Sequence, residues 1–282
     1  MSDTMKAVTE RDYVLGTNDE EIQRLGLQHR VWQQIVIDCW RRAGIGEGSR
    51  VLDIGAGPGY ATADLAKLVG PAGRVVAVER SQRFLNVARQ YCQSSGIENV
   101  QFREMDLMND PLPESGMDAA WCRWVACFVS SPELLVAKIA NALRPGGVAI
   151  FHEYINYSTY RLAPRSVAIE QFVVKVGESW RANGGEPDIA MDLPTILAKA
   201  GFRVRSAEPR IFCIGPHDEA WQWPASFVQV NLKRLLELGR VDEAWVESVR
   251  REFAAAEANP NSLMMTPMVL EIVAEKRGYP QI

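Results

Sequence analysis

Histidine is scarce in this 282-residue chain: three residues, at 29, 152 and 217, with no spacing that would assemble a metal site. The five cysteines (Cys39, Cys92, Cys122, Cys127 and Cys213) are odd in number and include no Cys-x-x-Cys pair. Most sit in apolar context, which favours buried thiols in a reducing compartment. No apolar run reaches the length of a membrane span, and the polar N-terminus lacks the apolar segment of a signal peptide, so a cytoplasmic location is expected. A basic stripe is missing too. Net charge is −4 and the lysines and arginines lie among acids, which argues against a nucleic-acid surface. There are no internal repeats and no low-complexity segments.

What the chain does have is core. Hydrophobic residues make up 47% and charged residues 23%, enough for one large α/β domain or a domain with a substantial insertion.

Its most informative stretch is Val51-Leu52-Asp53-Ile54-Gly55-Ala56-Gly57-Pro58-Gly59-Tyr60. An apolar run, an acid, three alternating glycines and a helical pattern read as strand, tight loop and helix. Glycine lets such a loop turn sharply and lets a ligand lie against bare backbone. The following helix aims free N–H groups and partial positive charge at that ligand. A dinucleotide loop would want a third glycine at position 60, which is Tyr; this disfavours a nicotinamide-dependent oxidoreductase. Asp53 is an awkward neighbour for pyrophosphate and a good one for an ammonium.

The rest continues the rhythm. Residues 74–79 form a short β-branched strand ending in Glu79, 20 residues beyond Gly59, where a carboxylate can accept both hydroxyls of a ribose. A third strand, 100–105, leads into Asp106-Leu107, and a fourth, 118–125, exits through Cys122-Arg123. Arg144-Pro145-Gly146-Gly147 turns into a fifth strand ending at His152-Glu153. Uninterrupted βα alternation implies a parallel sheet covered on both faces. At the N-terminal side, Asn18 can cap a helix whose Leu25, Trp32, Ile35, Val36, Cys39 and Trp40 share one face.

Taken together, Asp-x-Gly-x-Gly-x-Gly and the ordered acids at successive strand ends resemble the class I S-adenosylmethionine-dependent methyltransferases. Tyr13-x-Leu-Gly and Arg24-Leu25-x-x-Gln28-His29 are similar to the N-terminal segment of its small-molecule enzymes. The resemblance implies S-adenosylmethionine as cofactor, S-adenosylhomocysteine as product, and a cofactor set of Tyr13, Gln28, Asp53, Gly55, Gly57, Gly59, Glu79, Arg80, Asp106, Leu107, Cys122 and Arg123. Tyr13 would close over the cofactor and Gln28 would add a polar contact. Asp106 would accept from the adenine amino group while Leu107 packs on the ring. A carbonyl near Cys122 would take the ammonium and Arg123 the carboxylate. His152, at a strand end near the acceptor, is the candidate general base or acceptor-orienting group, since a histidine suits proton removal near neutrality, with a satisfied structural histidine as the alternative. His29 and His217 read as surface or helix-packing residues.

The expected fold class is α/β: a doubly wound, seven-stranded, mostly parallel sheet with an antiparallel last strand, plus helical lid insertions. The expected divisions are an N-terminal helical cap (1–45), a Rossmann-like cofactor-binding core (46–154) and a C-terminal half (155–282) carrying helical lids at about 155–190 and 217–258. Residues 202–214 read as one strand and 264–275 as the last. The implied function is methyl transfer to O, N or C of a small, largely apolar or aromatic molecule, with bacterial secondary metabolism favoured by architecture. The alternative is a catalytically inactive cofactor-binding regulator or scaffold. No nucleic acid, membrane or metal is expected as partner, and a homodimer is left open.

Overall fold

The computed structural model describes residues 16–278. In chain order the elements are α1 (Asp19–Arg42), β1 (Arg50–Ile54), α2 (Tyr60–Val69), β2 (Arg74–Glu79), α3 (Gln82–Ser94), β3 (Val100–Glu104), β4 (Met117–Arg123), α4 (Pro132–Ala142) and β5 (Leu143–Asn156). They continue with β6 (Arg161–Ala163), α5 (Val167–Ala182), α6 (Leu193–Lys199), β7 (Phe202–Arg210), β8 (Cys213–Ile214), α7 (Gln222–Glu237), α8 (Glu243–Ala258), β9 (Leu263–Met265) and β10 (Met268–Lys276).

Five of the eight helices named start at a side-chain cap. The Asn18, Ser81, Ser131, Ser166 and Asp242 side chains each accept from the backbone N–H three residues on, satisfying a donor that the helix itself cannot pair.

Seven strands form one sheet in the order β3-β2-β1-β4-β5-β10-β7. Strands β1 to β5 pair in parallel, and β10 runs antiparallel between β5 and β7. The sheet is therefore mostly parallel with an inverted last strand, as the sequence led us to expect. β1 and β2 are buried almost throughout, as a strand covered on both faces must be. The order reverses direction between β1 and β4, so their connections leave toward opposite faces and open a crevice at the carboxyl edge.

The C-terminal half departs from the sequence reading. The strand expected over 202–214 is two strands in two sheets, because the chain leaves β7 and crosses to pair β8 with β9. β9 also pairs with β6, giving a separate three-stranded sheet, β6-β9-β8. The helical run expected over 217–258 breaks at Gly239, whose φ of 64° suits a helix terminus, and restarts at the Asp242 cap. Helices α5, α7 and α8 pack on one another, and α7 also rests on α1. Trp32, Trp40, Trp121, Trp180 and Trp221 are fully buried in one continuous apolar cluster.

The glycine loop divides its labour. At Gly59 φ is 83°, and an added Cβ would sit 2.5 Å from Ala88 Cβ of α3. Gly59→Ala should therefore cost about 2–4 kcal/mol, from left-handed backbone and overpacking together. Chemical denaturation measures it; wild-type stability would show that α3 yields freely.

Candidate active site

The carboxyl ends of β1 to β4 open onto a cavity of about 680 Å³. Its floor is the loop after β1, turned so that Gly55 and Gly57 have φ of 69° and 55°. Gly55 and Ala56 donate backbone N–H groups to Val78 O at 2.9 and 3.0 Å, pinning the loop to β2. Glu79 completes that link. One carboxylate oxygen accepts from Gly57 N at 3.0 Å, the other from Arg80 N and Ser81 N at 2.9 Å each. Burial raises its pKa above the usual value, and these N–H groups oppose the rise.

Asp53 lies beneath the loop, buried, accepting from the Thr62 hydroxyl at 2.6 Å. Burial lifts its carboxyl to about 6 despite that bond and the nearby Arg123. At the end of β3, Asp106 behaves oppositely: against the cost of burial, the Met108 N–H and the Asn109 amide, each 2.8 Å away, hold it below the usual range.

Arg123, at the end of β4, is a buried guanidinium. Burial lowers its pKa to about 10, an effect that Asp53 counters. Its Nη2 meets His29 Nδ1 at 3.2 Å, whereas Nη1 is buried without a hydrogen-bond partner. The next residue, Trp124, has φ of 52° and is the single non-glycine residue with positive φ among those described. So bulky a residue pays for that conformation, and something must hold it there. Glu153 does: its Oε1 accepts from Val125 N and Ala126 N at 2.8 Å each, and Oε2 takes a longer bond from Cys127 N at 3.4 Å. The turn so formed places Val125 against Gly55, where a Cβ would lie 2.4 Å from Val125 Cγ2.

Beyond Trp124 the cavity becomes aromatic. Trp124 stacks on Tyr154 at 5.7 Å, Phe128 meets Trp180 edge-on at 4.6 Å, and Phe227 lies 6.1 Å from Trp180. Trp180 comes from α5 and Phe227 from α7, so both inserts wall the chamber. Gln28 of α1 accepts from Arg24 Nη1 at 2.9 Å and from Trp223 Nε1 at 3.1 Å, tying that helix to α7 at the cavity wall.

Of the expected site residues, Gln28, Asp53, Gly55, Gly57, Glu79, Arg80, Asp106, Leu107 and Arg123 come together on this one cavity. Tyr13 lies outside the described residues. Gly59 and Cys122 are not on the wall themselves: Gly59 packs on α3, and Trp121 and Arg123 form the wall on either side of Cys122. His152 is a correction. It is fully buried and absent from the wall, with Nε2 2.9 Å from Glu271 Oε2 and its ring packed on Trp121 and Trp32. A base must reach its proton, and this imidazole cannot.

Cys39, His152 and Glu271 do lie within reach of one cation. Glu271, however, is already bound by Arg42 at 2.5 Å and Arg210 at 2.8 Å, and that positive charge makes the trio a strut between α1, β5 and β10 rather than a metal centre. Sequence reasoning gave His29 and Glu153 no site role and did not single out the rings of Phe128, Tyr154 and Trp180. Only Glu153 carried a signal, as the acid beside a strand-end histidine.

A methyltransferase-domain family model matches residues 51–147. The ubiquinone/menaquinone biosynthesis C-methyltransferase UbiE of Pseudomonas fluorescens is 31% identical over 190 residues, covering 63% of this chain and 73% of that protein. Its counterpart in Saccharophagus degradans is 32% identical over 127 residues, covering 45% and 50%. The chain spans about half the length of several such curated relatives. The Bacillus subtilis YcgJ protein shares the fold, with a TM-score of 0.55 and 18% identity over 85% of this chain and 96% of that one. The chain belongs to the class I S-adenosylmethionine-dependent methyltransferases. Within that class it is similar to the UbiE enzymes.

The clamp on the Trp124 turn has a pH signature. Burial lifts the Glu153 carboxyl from 4.5 to about 7. The folded state therefore holds a proton there that the unfolded chain has released, and the resulting stability is lost as pH climbs from 4.5 through 7. The stability difference between wild type and Glu153→Gln should fall across that window in denaturant titrations. A difference independent of pH would show that Glu153 does not titrate there.

Proposed function

We propose that this protein transfers a methyl group from S-adenosylmethionine to an oxygen, nitrogen or carbon atom of a small, largely apolar or aromatic acceptor. One observation carries the reading: acids and a guanidinium from four adjoining strand ends share a single cavity with an aromatic chamber. When bound, the sulfonium supplies an electrophilic methyl carbon, so the protein's task is alignment and exclusion of water.

The residues fit that cofactor. The floor at Gly57 has room, since a Cβ there would meet nothing within 4 Å. Glu79, fixed by three backbone N–H groups, would accept from the ribose hydroxyls, and Asp106 with Leu107 would hold the adenine. Asp53 and Arg123 offer opposite charges to an amino-acid zwitterion, and the unpartnered Arg123 Nη1 is a donor awaiting a carboxylate. Arg80 completes the wall near Glu79.

Trp124, Tyr154, Trp180 and Phe227 would orient a flat acceptor, and orientation is worth roughly 7–11 kcal/mol of barrier in favourable cases. No histidine lines the cavity among the described residues. The acceptor is accordingly read as one that attacks without a histidine base, through its own acidity or a neutral lone pair. Lids that build an aromatic chamber count against a cofactor-holding scaffold, which has no use for one.

Gly57→Val separates the site from the fold. At φ of 55° the variant strains the backbone but its Cβ meets no neighbour, so the protein should fold while S-adenosylhomocysteine affinity falls at least about a hundredfold by calorimetry. Retained affinity would move the cofactor elsewhere. Mass spectrometry of small-molecule extracts incubated with protein and S-adenosylmethionine tests the reaction; no product gaining a methyl would sink it.

A further inference from the structure

A largely buried chain of three side chains lies beneath the cavity wall. Arg123 Nη2 is 3.2 Å from His29 Nδ1, and His29 Nε2 is 2.9 Å from Asp64 Oδ2. A guanidinium only donates, so Nδ1 must accept, which puts the single imidazole proton on Nε2, where it donates to Asp64. Asp64 also accepts from the Gln33 amide at 2.6 Å, so its place on α2 is secured independently. Arg123 also lies over the faces of Trp121 and Trp124, 5.8 and 5.2 Å from its central carbon, within the field of Asp53. Ring faces hold a cation without fixing its direction, whereas a hydrogen bond fixes it.

We propose that His29, oriented by Asp64, is a positioning residue that aims the Arg123 guanidinium at the cofactor's carboxylate and makes cofactor affinity depend on pH. It rests on the reading that Arg123 receives that carboxylate. A proton added to Nδ1 removes the acceptor and sets imidazolium against guanidinium, so Arg123 turns away. Burial lowers the pKa of His29 from 6.5, with Arg123 and Lys67 acting in the same direction and Asp64 opposing, so the loss falls on the acid side of that value. The charged and titratable groups facing the ring are Tyr60, Asp64 and Lys67 of α2 and Arg123 at the end of β4. Asp53 acts on the same guanidinium and is held at about 6, so its protonation also falls on the acid side of neutrality and must be separated by experiment.

Calorimetric affinities for S-adenosylhomocysteine and for 5′-methylthioadenosine, which lacks the amino-acid part, make that separation. Between about pH 7.5 and about pH 5 the wild-type preference for S-adenosylhomocysteine should fall roughly tenfold. His29→Gln keeps an acceptor that does not titrate, so the preference should survive and become flat with pH. His29→Phe keeps none, and should lose about tenfold at neutral pH for S-adenosylhomocysteine alone. A preference that is flat in wild type, or equally pH-dependent in His29→Gln, overturns the proposal, the second outcome assigning the effect to Asp53. Arg123→Ala leaving the preference unchanged, or no binding of S-adenosylhomocysteine, overturns instead the reading on which it rests.

Discussion

The site depends on one buried carboxylate. Glu153 reaches from β5 to the exit of β4 and gathers the N–H groups of Val125, Ala126 and Cys127. Those bonds help repay the left-handed backbone at Trp124, together with its own N–H bond to His152 O at 3.0 Å. The same turn aligns three surfaces at once. Arg123 precedes it on the cavity wall, Trp124 faces the aromatic chamber, and Val125 packs beneath the glycine loop.

Buried charge is used economically elsewhere. Glu271 on β10 binds His152 and two arginines, and these contacts hold its carboxyl down to about 2 against the cost of burial. That network anchors the C-terminal end of α1 to the sheet, while Gln28 ties its middle to α7. Helix α1 is thus fastened at two levels. The polar groups under the cavity are paired in turn, apart from buried donors such as Arg123 Nη1 and Trp124 Nε1. Donors left over in an otherwise satisfied site mark where a polar ligand belongs.

How far the site was legible differs residue by residue. Asp53, Glu79 and Asp106 were legible because each ends a strand in an unbroken βα series, and parallel topology sends all such ends to one edge. His152 misled for a physical reason. It shares a strand face with Tyr154, yet Tyr154 lies two residues nearer the edge and reaches the cavity, while His152 lies deeper under Trp32 of α1. Alternation gives the face and says nothing of depth. His29 was unreadable because its partners, Asp64 and Arg123, are 35 and 94 residues distant in sequence. The β6-β9-β8 sheet escaped notice because strands of two or three residues carry no period.

Local chemistry therefore determined the elements, their order, and the polar tip of each core strand, since capping, glycine geometry and apolar period act over a few residues. Tertiary packing decided which polar groups are dry, which cation meets which acceptor, and how the two C-terminal inserts close an aromatic chamber. Those are properties of distance and exclusion of water between residues far apart in sequence, and only the folded chain sets them.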